Sequence, residues 1–224
     1  MSPIHVLHIG KTGGTAVKHA LSPFVDQGLF VLHQHPHRLR DCPDDAPVFF
    51  VVRHPIDRFV SAFNSRLRQG RPRYDVPWSR KERLAFQVFP SPNHLAEAIG
   101  SRNPVIRAAA RLAMRSIGHV SSPLSYWLES ADYLTNRGGL IIGMLDTIRD
   151  DLNRLLAIAG APFRPALPSD PVAAHATPPG MSVELSDRGR ANLTGWLKDD
   201  MVLYEHCLML AAANPVAKGV SIHE

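Results

Sequence analysis

The sequence predicts an α/β fold, a three-layer α/β/α arrangement around a mostly parallel central sheet, on three observations. Short apolar, β-branched runs alternate with stretches of helical periodicity along the chain. The run 48–52 (VFFVV) is apolar at every position, as strands buried between two layers of helices are. Glycines at 10, 13 and 14 join the first strand-like run directly to the first helical one, a strand–loop–helix unit. A length of 224 residues suits a single domain of this class. With 45% hydrophobic and 20% charged residues the chain has an ordinary globular composition. No apolar run approaches the roughly 18 residues of a membrane span. The opening MSPIHVLHIG has no basic start, apolar stretch and cleavage site of a secretory signal. Cys42 and Cys207 lie too far apart in sequence for a disulfide framework or a Cys-based zinc motif. The expectation is a soluble protein of the reducing cytoplasm, without a membrane span.

The elements follow in order. Residues 4–9 (IHVLHI) form the first strand, and a helix starts at Thr15 with AVKHAL. A second strand is expected at 29–33 and a third at 48–52. Pro55 opens the next helix, where its missing N–H costs nothing, and that helix runs to about Arg68 with Ile56, Phe59, Val60 and Phe63 on one side. Residues 70–93, rich in Pro and Arg, read as irregular, and 94–116 as one helix with Arg107, Arg111 and Arg115 in a row. Another helix begins near Pro123, a turn falls at Asn136–Gly139, and 140–143 is a further buried strand. Asp146 or Thr147 caps a helix through Ala159 that stops at Gly160 and Pro162. Residues 161–180 are a Pro-rich loop, and Ser186 caps a long final helix to about Ala213.

The net charge is +5 and the pI about 9.6, which favours anionic partners, although a GC-rich genome also raises Arg content. The placement of the charges is more informative. Gly10-Lys11-Thr12-Gly13-Gly14-Thr15 sets one cation, two hydroxyls and three glycines between a buried strand and a helix. Glycines let successive N–H groups converge on an anion, and the helix adds unpaired N–H groups and the positive end of its dipole. The Walker A pattern G-x-x-x-x-G-K-[ST] fails, because its first Gly would fall at His5. A plain glycine turn with a solvated lysine is the simpler alternative. A second cation, Arg53, ends the third strand, and Ser61 lies eight residues on. An arginine fork and a hydroxyl suit a second phosphate, while pairing of Arg53 with Asp57 is the competing reading. Two anion sites at neighbouring strand ends fit one ligand with two separated anionic groups, such as a nucleotide phosphorylated at 5′ and 3′.

These residues resemble a known family. His8-Ile-Gly-Lys-Thr-Gly-Gly-Thr15 is similar to the 5′-phosphosulfate loop H-I-P-K-T-G-G-T of carbohydrate sulfotransferases, and Phe50 to Phe63 (FVVRHPIDRFVSAF) to their 3′-phosphate motif. The resemblance is nearest to the heparan/uronyl 2-O-sulfotransferases and bacterial relatives. It is sharp over about 4–65, weaker over 122–160 and the final helix, and absent from 66–120. Gly10 stands for the usual Pro and His54 for the usual Asp. The family implies a P-loop-NTPase-like sulfotransferase fold over 1–224 as one domain, with 66–120 a helical, acceptor-side insertion. It also implies the donor 3′-phosphoadenosine 5′-phosphosulfate (PAPS) and transfer to a hydroxyl with no metal required. Lys11, Thr12, Gly13, Gly14 and Thr15 would hold the 5′-phosphosulfate, and Arg53 and Ser61 the 3′-phosphate.

Sulfuryl transfer needs stabilisation of charge on the leaving phosphate oxygen, the expected role of Lys11, and a base for the acceptor hydroxyl. Related enzymes carry an H-x-H element where this chain has His33-Gln34-His35, and the resemblance implies His35 as the base and His33 as a supporting catalytic or substrate-binding residue, with His37 beside the substrate; ordinary loop histidines are the plainer alternative. A metal site of residues 33, 35 and 37 is an alternative, but Pro36 interrupts the strand and no nearby Cys completes a set. Arg66, Arg71 and Arg73, interleaved with Tyr74 and Trp78, are candidates for an anionic or sugar acceptor, or else a solvated surface. Nucleic acid would explain the charge but not two spaced phosphate motifs. The rival readings are a nucleotide or small-molecule kinase, requiring Mg²⁺ and ATP, and a non-catalytic nucleotide-binding module.

Overall fold

The computed structural model describes residues 2–162, 178 and 180–213. They divide into two compact units, one drawn from the described residues up to 53, those of 124–162 and those of 202–213, the other from 54–123 and the described residues of 178–201. Most of the expected Pro-rich loop at 161–180 lies outside the described residues.

The first unit contains a four-stranded, all-parallel sheet in the order β2-β1-β3-β4, formed by Ile4–Val6 (β1), Phe30–Leu32 (β2), Val48–Val52 (β3) and Leu140–Met144 (β4). Side chains of a strand alternate between faces, and β3 shows what each face meets. Val48, Phe50 and Val52 join a cluster with Leu124, Trp127, Leu128, Leu134, Leu203 and Cys207, while Phe49 and Val51 join Val17, Leu21, Phe24, Leu152 and Leu155. Helices α1 (Gly14–Leu21) and α8 (Ile148–Ile158) therefore cover one face. The other carries α6 (Ser125–Leu128), α7 (Ala131–Asn136) and the part of α10 (Lys198–Ala213) that begins at Val202. Layers of helix on both faces explain why β3 has no polar residue: all five of its side chains are buried.

The β4–α8 connection is closed by a buried carboxylate. Asp151 accepts from the Met144 N–H at 2.7 Å and the Thr147 hydroxyl at 2.8 Å, and pairs with Arg154. Thr147 is the N-cap residue, but its hydroxyl serves Asp151 rather than the helix N–H groups.

The second unit is helical. Helices α2 (Pro55–Leu67), α3 (Arg80–Val88), α4 (Pro92–Ile99), α5 (Pro104–Met114) and α9 (Asp187–Trp196) enclose Phe59, Phe63, Phe86, Leu95, Met114 and Leu193. Two buried ion pairs brace it. Arg58 faces Asp200 at 3.5 Å and donates to the Ser122 carbonyl at 2.7 Å. Arg66 forks onto Glu82 at 2.7 and 2.9 Å. Burial alone would raise the Glu82 pKa, but the Arg66 fork and the N–H groups of Ser79 and Gly118 outweigh it and hold the carboxyl at about 2.

The first strand, expected over 4–9, ends at Val6, and four helical stretches also differ from expectation. Residues 70–93 contain α3, whose start is a capping box: the Ser79 hydroxyl accepts from the Glu82 N–H, and the Glu82 carboxylate from the Ser79 N–H. The stretch 94–116 is two helices, because Asn103 caps a new start at Pro104. The helix near Pro123 breaks at Glu129, whose φ is 66°, and resumes after the Ser130 cap. The long final helix divides at Leu197, although Ser186 caps its first part as expected, accepting from the Gly189 N–H at 3.1 Å. Among the described residues no helix is long and apolar enough to cross a membrane.

Candidate active site in the first unit

The loop from β1 to α1 gathers the residues expected to bind an anion. Ile9 is fully buried and anchors the loop to the core, and the Thr12 hydroxyl donates to the Ile9 carbonyl at 3.1 Å. Thr12 is itself buried, so its side chain braces the loop rather than facing a ligand. Lys11 and Gly13 both have left-handed backbones, with φ of 69° and 85°. Alternation of this kind curls a chain so that its N–H groups point inward. A side chain at Gly13 would also meet Leu145 Cδ1 at 2.6 Å. A Cβ at Gly14, the first residue of α1, would overlap the His8 imidazole. The glycines thus let the loop pack against Leu145 and His8 as it enters an eight-residue helix that has no acidic residue in its first turn.

Arg53, half-buried, immediately follows β3. Because β3 is the parallel neighbour of β1, Arg53 and the Lys11 loop leave the sheet at the same, carboxyl edge. The order β2-β1-β3-β4 reverses the direction of winding between β1 and β3. Open α/β sheets place ligands in the crevice at such a reversal.

The histidines beyond β2 lie beside this loop. The His35 ring packs on His8 with centroids 3.9 Å apart, and its carbonyl accepts from Trp127 Nε1 at 2.8 Å. Burial, and then the charges of Lys18 and Lys11, hold its pKa below the ordinary imidazole value. These surroundings favour the neutral imidazole, the form that can accept a proton. His33 goes elsewhere, with Nε2 2.9 Å from His5 Nδ1 and its ring stacked on His37 at 3.7 Å. Burial, reinforced by His37, His5 and Lys18 against Asp41, lowers its pKa to about 4. Residues 33 and 35 accordingly pack on different histidines, and 33, 35 and 37 do not converge on one point as a metal site would require. Contrary to expectation, a cysteine does approach one of them: Cys42 comes close to His5 and His33.

Two participants were not expected. Lys18, four residues into α1 from Gly14, donates to Gln34 Oε1 at 2.9 Å and acts electrostatically on both His33 and His35. Trp127 fixes the segment that carries His35. The helical spacing of Thr15 and Lys18 is a signal for the first, whereas the second rests on a contact 92 residues away in sequence.

The remaining candidates belong to the second unit. Ser61 is half-buried on α2. Arg66 is not an acceptor-binding side chain: it is buried, its fork is taken by Glu82, and its remaining N–H groups reach the Val76 and Pro77 carbonyls. Arg71 is exposed and paired with Asp75, and Arg73 is exposed and lies over the Tyr74 ring. A cavity of about 260 Å³ in the first unit, between β4, α7, α8 and α10, is lined by Arg137 and Arg154 and by none of the loop residues. It lacks the glycine loop and the histidines. No family model matches the chain, and no curated protein or solved structure is significantly similar to it.

Proposed function

We propose that the protein is a sulfotransferase that moves a sulfuryl group from PAPS to a hydroxyl of a carbohydrate or other small acceptor, working in the cytoplasm. One observation carries this reading. A curled Lys-Thr-Gly-Gly-Thr loop at a helix start and an arginine occupy the carboxyl ends of neighbouring parallel strands, at the point where the sheet reverses its winding. The order of those residues is also that of the two sulfotransferase motifs they resemble.

The fit to the donor rests on the loop. The left-handed backbones of Lys11 and Gly13 would turn the loop N–H groups toward a 5′-phosphosulfate, while Gly13 and Gly14 let the loop lie against Leu145 and His8. Lys11, Thr15 and the loop N–H groups would hold that end, and Arg53 would hold the 3′-phosphate. The donor supplies an activated sulfuryl group. Lys11 neutralises charge that grows on the departing phosphate oxygen, the main contribution a protein makes to in-line transfers of this type. His35, neutral and packed on His8, takes the proton of the acceptor hydroxyl. Its Trp127 anchor holds the backbone in place while the proton moves.

The test is transfer of radiolabelled sulfate from PAPS to a panel of glycan and small-alcohol acceptors. Wild-type protein is expected to label at least one acceptor. Lys11→Ala is expected to abolish labelling, and His35→Ala to reduce it by roughly 10²–10⁴-fold while nucleotide binding persists. Full activity of His35→Ala would remove that residue from the mechanism.

A further inference from the structure

His5, His33 and Cys42 meet on the sheet face opposite the one covered by α1. His5 stands in the middle of β1, flanked by Ile4 and Val6, which point into the α1 side of the core. His33 follows β2 and is held in register by its N–H to the Val6 carbonyl at 3.0 Å. Cys42 follows a short 3-10 turn, Leu39–Asp41, whose Arg38 N–H is fastened to the Asp41 carboxylate at 2.9 Å. One ligand atom of each residue lies within 4.8 Å of the other two, and the two imidazole nitrogens are 2.9 Å apart.

We propose that these three residues bind a zinc-class metal ion. Tetrahedral zinc, with Zn–N of about 2.0–2.1 Å and Zn–S of about 2.3 Å, spaces such donors roughly 3.3–3.6 Å apart. The two imidazole nitrogens, 2.9 Å apart, need to open by only about half an ångström to reach that spacing, and the Cys42 sulfur lies within 4.8 Å of both histidines. A hydrogen bond between two imidazoles shares one proton between two lone pairs, and a metal ion takes that proton's place. One thiolate and two imidazoles form a soft, mixed donor set that selects zinc and its late-transition neighbours over magnesium or calcium. The frame is already rigid: Cys42 is buried, and the His33 ring is held between His5 and the parallel His37 ring. His37 Nε2 is buried against this cluster and has no hydrogen-bond partner among the described residues. Arg137 and Asp41, of opposite charge, both act on the cluster, and the Arg137 guanidinium is turned to the Pro43, Asp44 and Ala46 carbonyls. Three protein ligands leave the fourth position for water or a small anion. The ion ties the segment after β2 to β1 and takes no part in sulfuryl transfer, so the site holds whatever the glycine loop binds.

The experiment is titration of the full-length protein with Co²⁺, followed by displacement with Zn²⁺. The wild-type chain is expected to show the near-ultraviolet thiolate-to-cobalt charge-transfer band and tetrahedral ligand-field bands, both removed by one equivalent of Zn²⁺. Cys207→Ser keeps the band and Cys42→Ser loses it. His33→Gln weakens zinc by more than about tenfold, a loss that changes to mere supporting residues already reach. Absence of the band in wild type overturns the proposal, whether or not Cys42→Ser folds. So does a band that survives Cys42→Ser or disappears with Cys207→Ser.

Discussion

At the scale of single residues, the anion loop depends on what is missing from it. Gly14 touches the His8 imidazole so closely that Gly14→Ala must push the ring aside or shift the start of α1. We expect this variant to lose about 1–3 kcal/mol of stability, the usual cost of overpacking, and to bind nucleotide more weakly, as thermal unfolding and calorimetry would show. A stable variant with unchanged affinity would mean that the loop does not hold the ligand. Glu82 offers a test by pH. Its carboxyl titrates near 2 in the folded protein and near 4.5 when unfolded, so its contribution is fully present above pH 4.5 and is lost as pH falls toward 2. The difference corresponds to roughly 3 kcal/mol. Denaturant titrations between pH 6 and 3 should show wild type losing stability more steeply than Glu82→Gln, and parallel curves would contradict the assignment. The Lys-Thr-Gly-Gly-Thr loop and Arg53 were legible because each sits on consecutive residues next to a strong strand. The contacts of His8 with Gly14 and of His33 with His5 and Cys42 were not, since they depend on which strands pair.

At the scale of elements, the strands were the most legible part of the chain. The third was expected over 48–52 and is found as Val48–Val52, because continuous β-branched and aromatic runs have little else to form. Helix interruptions were harder to read. Apolar periodicity carries on across Asn103-Pro104 and Glu129, where capping by Asn103 and Ser130 and the left-handed backbone of Glu129 end one helix and start the next, and across Leu197, where neither device is present. Helix α3 was overlooked beneath its Pro- and Arg-rich surroundings, although Ser79 and Glu82 carry the capping-box signature. Ser79→Ala should therefore cost about 0.5–2 kcal/mol and lower the unfolding temperature. No change would mean that Glu82 and Arg66 alone hold the start of the helix.

At the scale of the whole molecule, the two compact units divide the candidate residues unevenly. The first contains the glycine loop, Arg53, the histidines and the winding reversal of the sheet, whereas the second buries Arg66 as a structural ion pair. A net charge of +5 favours an anionic ligand in general, but the pairing of β1 with β3 is what sets two anion-binding elements on one edge. The sequence carried the order and spacing of those elements. Their adjacency follows only from the sheet order, which no local pattern encodes. The reading as a sulfotransferase is most directly tested by calorimetry with adenosine 3′,5′-bisphosphate against ATP–Mg²⁺, using wild type and Arg53→Ala. The account predicts one site that prefers the bisphosphate by roughly tenfold or more, with the preference lost in Arg53→Ala, since a charge-assisted contact contributes about 1.5–3 kcal/mol. Tighter binding of ATP–Mg²⁺, or an Arg53→Ala variant that binds both nucleotides as wild type does, would contradict it.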